Sequence, residues 1–327
     1  MFEEIIKDCK GYIERNGFIF TCVTHPANIY DALYIRNVKN DNLVFRNFPM
    51  VNTSLSDHIQ LVNNYELRKA SIFADDLEFI KDTPSLKHLF LTIDYDDNKI
   101  DYSSLYEMSE IKSLVINNIN FGPLKNPVDY SKIEGLEFVN IAENGHLNYE
   151  KISTLKSLRT GIWKNFDLKG LFTSKRLDTL QMIQCGMTSL DGIEYSDNMQ
   201  CVYLNYNRHL QDISALKNVK DTLKALRIEN CPKITDFSVL SDLDNLELLE
   251  LTGKNELSDL TFIKKMKNLK TFVFNMNVRD GDLSECMNLS YVYSAKNRKH
   301  YNINNKFLPK GKYFRGNDNI EIWRRFE

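Results

Sequence analysis

Residues 223 to 251 read LKALRIENCPKITDFSVLSDLDNLELLEL, and a fold class follows from them. The stretch opens on Leu223-Leu226-Ile228 and closes on Leu246-Leu249-Leu251, two copies of the spacing L-x-x-L-x-L. Within each copy apolar and other side chains alternate, as they do along a strand with one buried face. Between the copies Ile234, Phe237, Leu240 and Leu243 recur at every third residue. That is the period at which side chains eclipse on a 3-10 turn. One unit is therefore a short strand followed by a return turn with an apolar inner side.

The same spacing recurs along the chain. Clear copies are Leu86-Leu89-Leu91, Ile111-Leu114-Ile116, Leu177-Leu180-Met182 and Leu269-Phe272-Phe274, with Met199-Val202-Leu204 and Leu136-Val139-Ile141 close behind. Leu67-Ala70-Ile72, Leu158-Gly161-Trp163 and Leu289-Val292-Ser294 fit with a small or unusual residue at a fixed position. Successive copies are 19 to 25 residues apart. Eight residues past each first position stand Asp75, Asp94, Ile119, Asn144, Phe166, Cys185, Asn207, Cys231, Lys254, Asn277 and Asn297. Eight of these eleven are Asn, Asp or Cys, types that can satisfy backbone groups where the chain leaves a strand.

With both registers in place, residues 67 to about 297 resemble the leucine-rich-repeat family, nearest in repeat length to its bacterial internalin-like subgroup. The resemblance implies a curved α/β repeat solenoid, with a parallel sheet on the concave face and short 3-10 or irregular turns on the convex face. Trp163 and Phe166 depart from the pattern within 111–177. The array should span 61–300 in about eleven repeats. Residues 1–60 read as a mixed α/β cap, and 301–327 as a second cap whose runs around Arg315-Gly316-Asn317 form a hairpin, since a solenoid must cover its two apolar ends.

The chain is 327 residues long, 43% hydrophobic and 26% charged, a composition of ordered protein. Its formal charge of -2 conceals a basic tail, with nine Lys or Arg against three acids from Lys296 onward. The start Met1-Phe2-Glu3-Glu4 places acids where a secretory signal needs cations, and no segment has the length of a membrane span. A cytoplasmic monomer with reduced thiols is expected.

Chemistry-bearing patterns are incomplete. Asp94-Tyr95-Asp96-Asp97-Asn98 begins like a calcium loop but has Lys99 and Leu105 where glycine and glutamate are needed. The six histidines lack metal-ligand spacing, and no C-x-x-C pair is present. Cys22 and His25 have no assignable acid partner. Gly311-Lys312 lacks the first glycine of a phosphate loop. No catalytic residue, metal or cofactor is expected, and the chain reads as a non-enzyme.

Strand alternation sends the third, fifth and seventh residues of each copy toward the hollow. Those positions supply a candidate partner-binding set: Phe90, Phe138, Ile162, Ile183, Tyr203, Arg227, Leu248, Glu250, Val273, Tyr291 and Tyr293. Aromatic residues and Arg concentrate at interface centres. The expected function is a protein-binding scaffold, with toxin neutralisation or a bacterial effector role as its settings. The alternatives are nucleic-acid binding through the basic aromatic tail, or an enzyme in the amino-terminal region.

Overall fold

The computed structural model describes residues 32–37, 55–64, 66, 68–74, 76–93, 100–118 and 122–314. They fall into two compact units, one ending at Leu155 and the other beginning at Lys156.

The first unit carries β1 (Ala32–Asn37), β2 (Lys69–Ala74), β3 (His88–Ile93), β4 (Ser113–Asn118) and β6 (Phe138–Ile141), with a short pair formed by β5 (Val128–Asp129) and β7 (His146–Leu147). Its main strands lie in the order β1-β2-β3-β4-β6, every adjacent pair parallel. A ten-residue helix, α1 (Leu55–Asn64), leads into β2, and a single turn, α2 (Ser103–Tyr106), follows β3. The parallel sheet thus includes a strand, β1, earlier than the first leucine of the repeat pattern.

In the second unit β8 (Ser157–Thr160), β9 (Thr179–Ile183), β10 (Cys201–Asn205), β11 (Ala225–Glu229), β12 (Leu248–Thr252), β14 (Thr271–Phe274) and β16 (Tyr291–Ser294) again pair in parallel. A small pair, β13 (Glu256–Leu257) with β15 (Asn277–Val278), runs beside them. Most strands open two residues after the first fixed position of their copy, as Ala225 does after Leu223. Strand β8 follows the same rule from a different leucine: Leu158 pairs with Leu180, so its copy is Leu155-Leu158-Thr160 and not Leu158-Gly161-Trp163, and Ile162 lies beyond the strand on which the pattern placed it.

Leu223, Leu226, Ile228, Leu246, Leu249 and Leu251 are buried, each contributing roughly 1.5–3 kcal/mol by leaving water. Phe272 and Phe274 stack with ring centroids 4.8 Å apart. Return segments are 3-10 runs, among them Ser214–Val219, Ser238–Asp242, Thr261–Lys265 and Ser284–Asn288. Each is opened by an aspartate two residues before a Ser or Thr: Asp212, Asp236, Asp259 and Asp282 accept from the N–H of Ser214, Ser238, Thr261 and Ser284 at 2.8–2.9 Å. Asp101 and Asp129 do the same for Ser103 and Ser131.

Where the chain leaves a strand it takes a left-handed residue, Gln184, Tyr206, Asn230 or Gly253 in successive copies. At Gly253 (φ 145°) a Cβ would lie 3.3 Å from Asn230 N, so the bend is built for glycine. The polar ladder is buried at Cys185, Asn207 and Cys231: Asn207 accepts from Cys185 N at 2.8 Å and donates to Met182 O at 2.9 Å. Beyond them its register changes. Lys254 is exposed, and Asn255, one residue later, donates to Cys231 O and Ile234 O. Phe166 is 77% exposed, and Trp163 takes over the turn by donating Nε1–H to Asp167 O at 2.7 Å. Positions 75, 94 and 119 of the ladder, the calcium-like run, Cys22 with His25, and the tail hairpin from Arg315 onward lie outside the described residues.

Candidate partner-binding face

The face opposite the fixed leucines is the one the pattern assigns to a partner. In the first unit Phe138 is buried rather than exposed, because it stacks with Val115 on the neighbouring strand beneath a half-buried Phe90.

In the second unit parallel register aligns Tyr203, Arg227 and Glu250 on β10, β11 and β12. The Arg227 guanidinium carbon sits 4.5 Å from the Tyr203 ring centroid, and its Nε lies 3.1 Å from Glu250 Oε2. A planar guanidinium can lie flat on an aromatic face while its edge pairs with a carboxylate. These three residues were expected in the open. Tyr203 is instead 6% exposed and Arg227 9%, and Leu248 is buried. Only Glu250 keeps partial exposure.

The cover comes from the chain itself. Tyr313 and Phe314 pack on Cys201, Tyr203, Ala225 and Leu248, a floor whose Cys and Ala leave room for aromatic rings. Tyr313 Oη donates to Glu250 Oε1 at 2.5 Å and accepts from Arg227 Nη2 at 3.3 Å. Phe314 N donates to Thr271 Oγ1 at 2.9 Å, and Lys270 Nζ lies 4.8 Å from the Phe314 ring. The Tyr313 ring also meets Tyr291 edge-on at 5.2 Å. Burial pushes the Tyr203 hydroxyl well above its ordinary range, with the Arg227 charge acting the other way. That hydroxyl is buried and has no hydrogen-bond partner among the described residues.

Around this seat the face stays open. Tyr293 is 47% exposed, and Ile183, Val273 and Tyr291 are half-buried. Ile162 is half-buried in the turn after β8. The structure therefore gathers Tyr203, Arg227, Leu248, Glu250 and Tyr291 in one place, with Ile183, Val273 and Tyr293 on the same sheet face. It leaves Phe90 and Phe138 in the first unit. Tyr313, Phe314 and Thr271 complete the seat and were not in the sequence-based set. For Tyr313 and Phe314 the only signal is the aromatic pair in Gly311-Lys312-Tyr313-Phe314, which reads equally well as part of a cap, whereas Thr271 stands at the third, hollow-facing position of its copy.

Cys185, Cys201, Cys231 and Cys286 are buried free thiols, and burial pushes Cys185 and Cys231 up to about 11 and Cys286 to about 12. None is poised as a nucleophile. Among the described residues no group of His, Cys, Asp or Glu is arranged to hold a metal ion, and no helix is long and apolar enough to cross a membrane.

No protein-family model and no curated protein matches the chain in sequence. Among solved structures it is similar to an internalin, InlF, of Listeria monocytogenes, with 18% identity over 75% of this chain and 72% of that one, at a TM-score of 0.50. It is also similar to the functional domain of InlJ from Listeria monocytogenes, described as including a cysteine ladder, at 17% identity and a TM-score of 0.48. That match covers 72% of this chain, which spans about half (49%) of the InlJ structure. With its parallel strands, 3-10 returns and polar ladder, the chain has the fold of an internalin-like leucine-rich-repeat protein.

Proposed function

We propose that the chain is a protein-binding scaffold whose partner docks on the sheet face of the second unit, around β9 to β16. One observation carries the reading: Tyr203, Arg227 and Glu250 stand in register on three adjacent strands and already hold an aromatic segment of polypeptide. A buried ion pair is a weak source of stability, since desolvation offsets much of its attraction. Its presence on a face that the repeat does not need to fill favours recognition. The half-buried Ile183, Val273 and Tyr291 and the exposed Tyr293 supply apolar area around it.

Neutralising a bacterial toxin and acting as an effector both fit such a face, and we place the protein in the cytoplasm, where buried thiols stay reduced. The nucleic-acid alternative is not favoured, because Tyr313 and Phe314, which would have stacked on bases, pack on the sheet instead.

Immobilised full chain is used to capture proteins from the source cells, in parallel with Tyr293→Ala/Ile183→Ala and with the turn-side variant Lys217→Ala. The scaffold reading predicts that a specifically captured protein is lost from the first variant and kept by the second. Equal capture by all three, or loss only from Lys217→Ala, moves the site off the sheet face.

A further inference from the structure

Pro309 to Phe314 returns over the sheet as an extended segment. Val292 N donates to Pro309 O and Gly311 N to Ser290 O, each at 2.9 Å, and Tyr291 forms an antiparallel bridge with Lys310. Lys310 Nζ donates to Val292 O at 2.7 Å. From this edge the segment crosses the strands to seat Tyr313 between Arg227 and Glu250, and Phe314 against Thr271.

The attachment resembles a bound peptide more than an integral strand: two backbone bonds to the edge strand, then side-chain recognition of one tyrosine hydroxyl by a cation on one side and a carboxylate on the other. Both rings remain half-buried, and the seat keeps an unpartnered tyrosine hydroxyl of its own at Tyr203. A tethered segment acts on its own site at an effective concentration on the order of millimolar, so a competitor in solution binds in proportion to the fraction of sites the tether leaves open.

We infer that residues 309–314 form a displaceable strap occupying, in cis, a recognition site on β10 to β14 for an extended protein segment that carries a tyrosine followed by a second aromatic residue. This rests on the protein-binding reading above. It adds the partner's chemistry and an autoinhibitory step, in which the partner's tyrosine replaces Tyr313 between Arg227 and Glu250.

Gly311 allows a test that leaves the seat untouched. A Cβ there would lie 2.7 Å from the backbone oxygen of Ser290, so Gly311→Val cannot hold the strap against the edge strand. A labelled synthetic peptide with the sequence of residues 309–316, and a control with Ala for the tyrosine, are titrated into full-length wild type and Gly311→Val by fluorescence anisotropy. Hydrogen exchange across 309–314 reports whether the strap has lifted. The inference predicts at least ten-fold tighter peptide binding by Gly311→Val than by wild type, and none of the control. If exchange shows the strap still seated, Tyr313→Ala/Phe314→Ala, which removes the occupying side chains, replaces Gly311→Val. Failure of the peptide to bind a folded chain with an emptied seat overturns the inference, as does equal binding of peptide and control. Loss of the strap inference alone leaves the capture differences among face variants intact, whereas failure of the scaffold reading removes them.

Discussion

Single side chains show how burial sets chemistry. Glu143 is buried and accepts from Asn118 N at 2.7 Å; burial pushes its carboxyl up to about 6, an effect that hydrogen bond only partly offsets. A folded value above the unfolded one favours folding at pH below the unfolded value, and the advantage is lost as pH rises through about 6. Glu143→Gln, which keeps an acceptor without the charge, should therefore raise stability at pH 7 by roughly 1–2 kcal/mol and change little at pH 4. Urea unfolding at the two pH values checks this, and an equal effect at both would contradict it. His146 is also held neutral by burial, its pKa lowered to about 3, while its Nδ1 and the Tyr130 hydroxyl lie 2.9 Å apart. On β11, Leu226 is fully buried. Leu226→Asp places a carboxylate where nothing can pair with it, at a cost on the order of 4 kcal/mol, and a wild-type melting temperature for that variant would show that the inward register is misassigned.

Strands and turns were legible to different depths. L-x-x-L-x-L is a local signal, so β9, β10, β11, β12 and β14 begin two residues after their first fixed position; at β8 the sequence reading starts three residues late, at Leu158 in place of Leu155, because the polar Thr160 fills the last fixed position of the true copy. The ladder was legible at Cys185, Asn207 and Cys231 but missed the change of register at Asn255, since that depends on how the chain bends at Gly253. The Asp-x-Ser/Thr openings of the 3-10 runs are as regular in sequence as the leucines, yet short polar triplets are common in loops and only the hydrogen bonds single them out. Those bonds have a consequence. The Ser238 backbone N–H holds Asp236 below the ordinary carboxylate range, and the hydroxyls of Thr261 and Ser284 do so for Asp259 and Asp282. A depressed folded pKa contributes stability above the unfolded value, about 4, that fades as pH falls through the lower folded one. Asp236→Asn/Asp259→Asn/Asp282→Asn should flatten the loss of stability between pH 5 and pH 2, followed by urea midpoints. Parallel curves for wild type and variant would mean that these turns do not depend on charge.

At the level of the protein, the leucine-rich-repeat architecture could be read from the chain, while the state of its recognition face could not. Exposure of Tyr203 and Arg227 follows from alternation only if nothing covers them. The cover lies 86 residues beyond Arg227, at Tyr313, a separation over which no periodicity carries information. The second-unit residues identified from the pattern thus fall into two groups: Tyr203, Arg227 and Leu248 under the strap, and Ile183, Val273, Tyr291 and Tyr293 around it. Several exposed apolar side chains lie elsewhere, Tyr195 and Met287 on 3-10 turns and Phe307 near the carboxy-terminal end, and they provide an internal control for where a partner binds. The most direct measurement is hydroxyl-radical footprinting of the full chain, alone and with the protein it captures, read out by mass spectrometry at each of these side chains. A scaffold that uses its sheet face will show protection at Tyr293, Tyr291, Val273 and Ile183, with Tyr195 and Met287 unchanged. Protection of Tyr195 and Met287 with Tyr293 left reactive would place the partner on the turns and contradict the account.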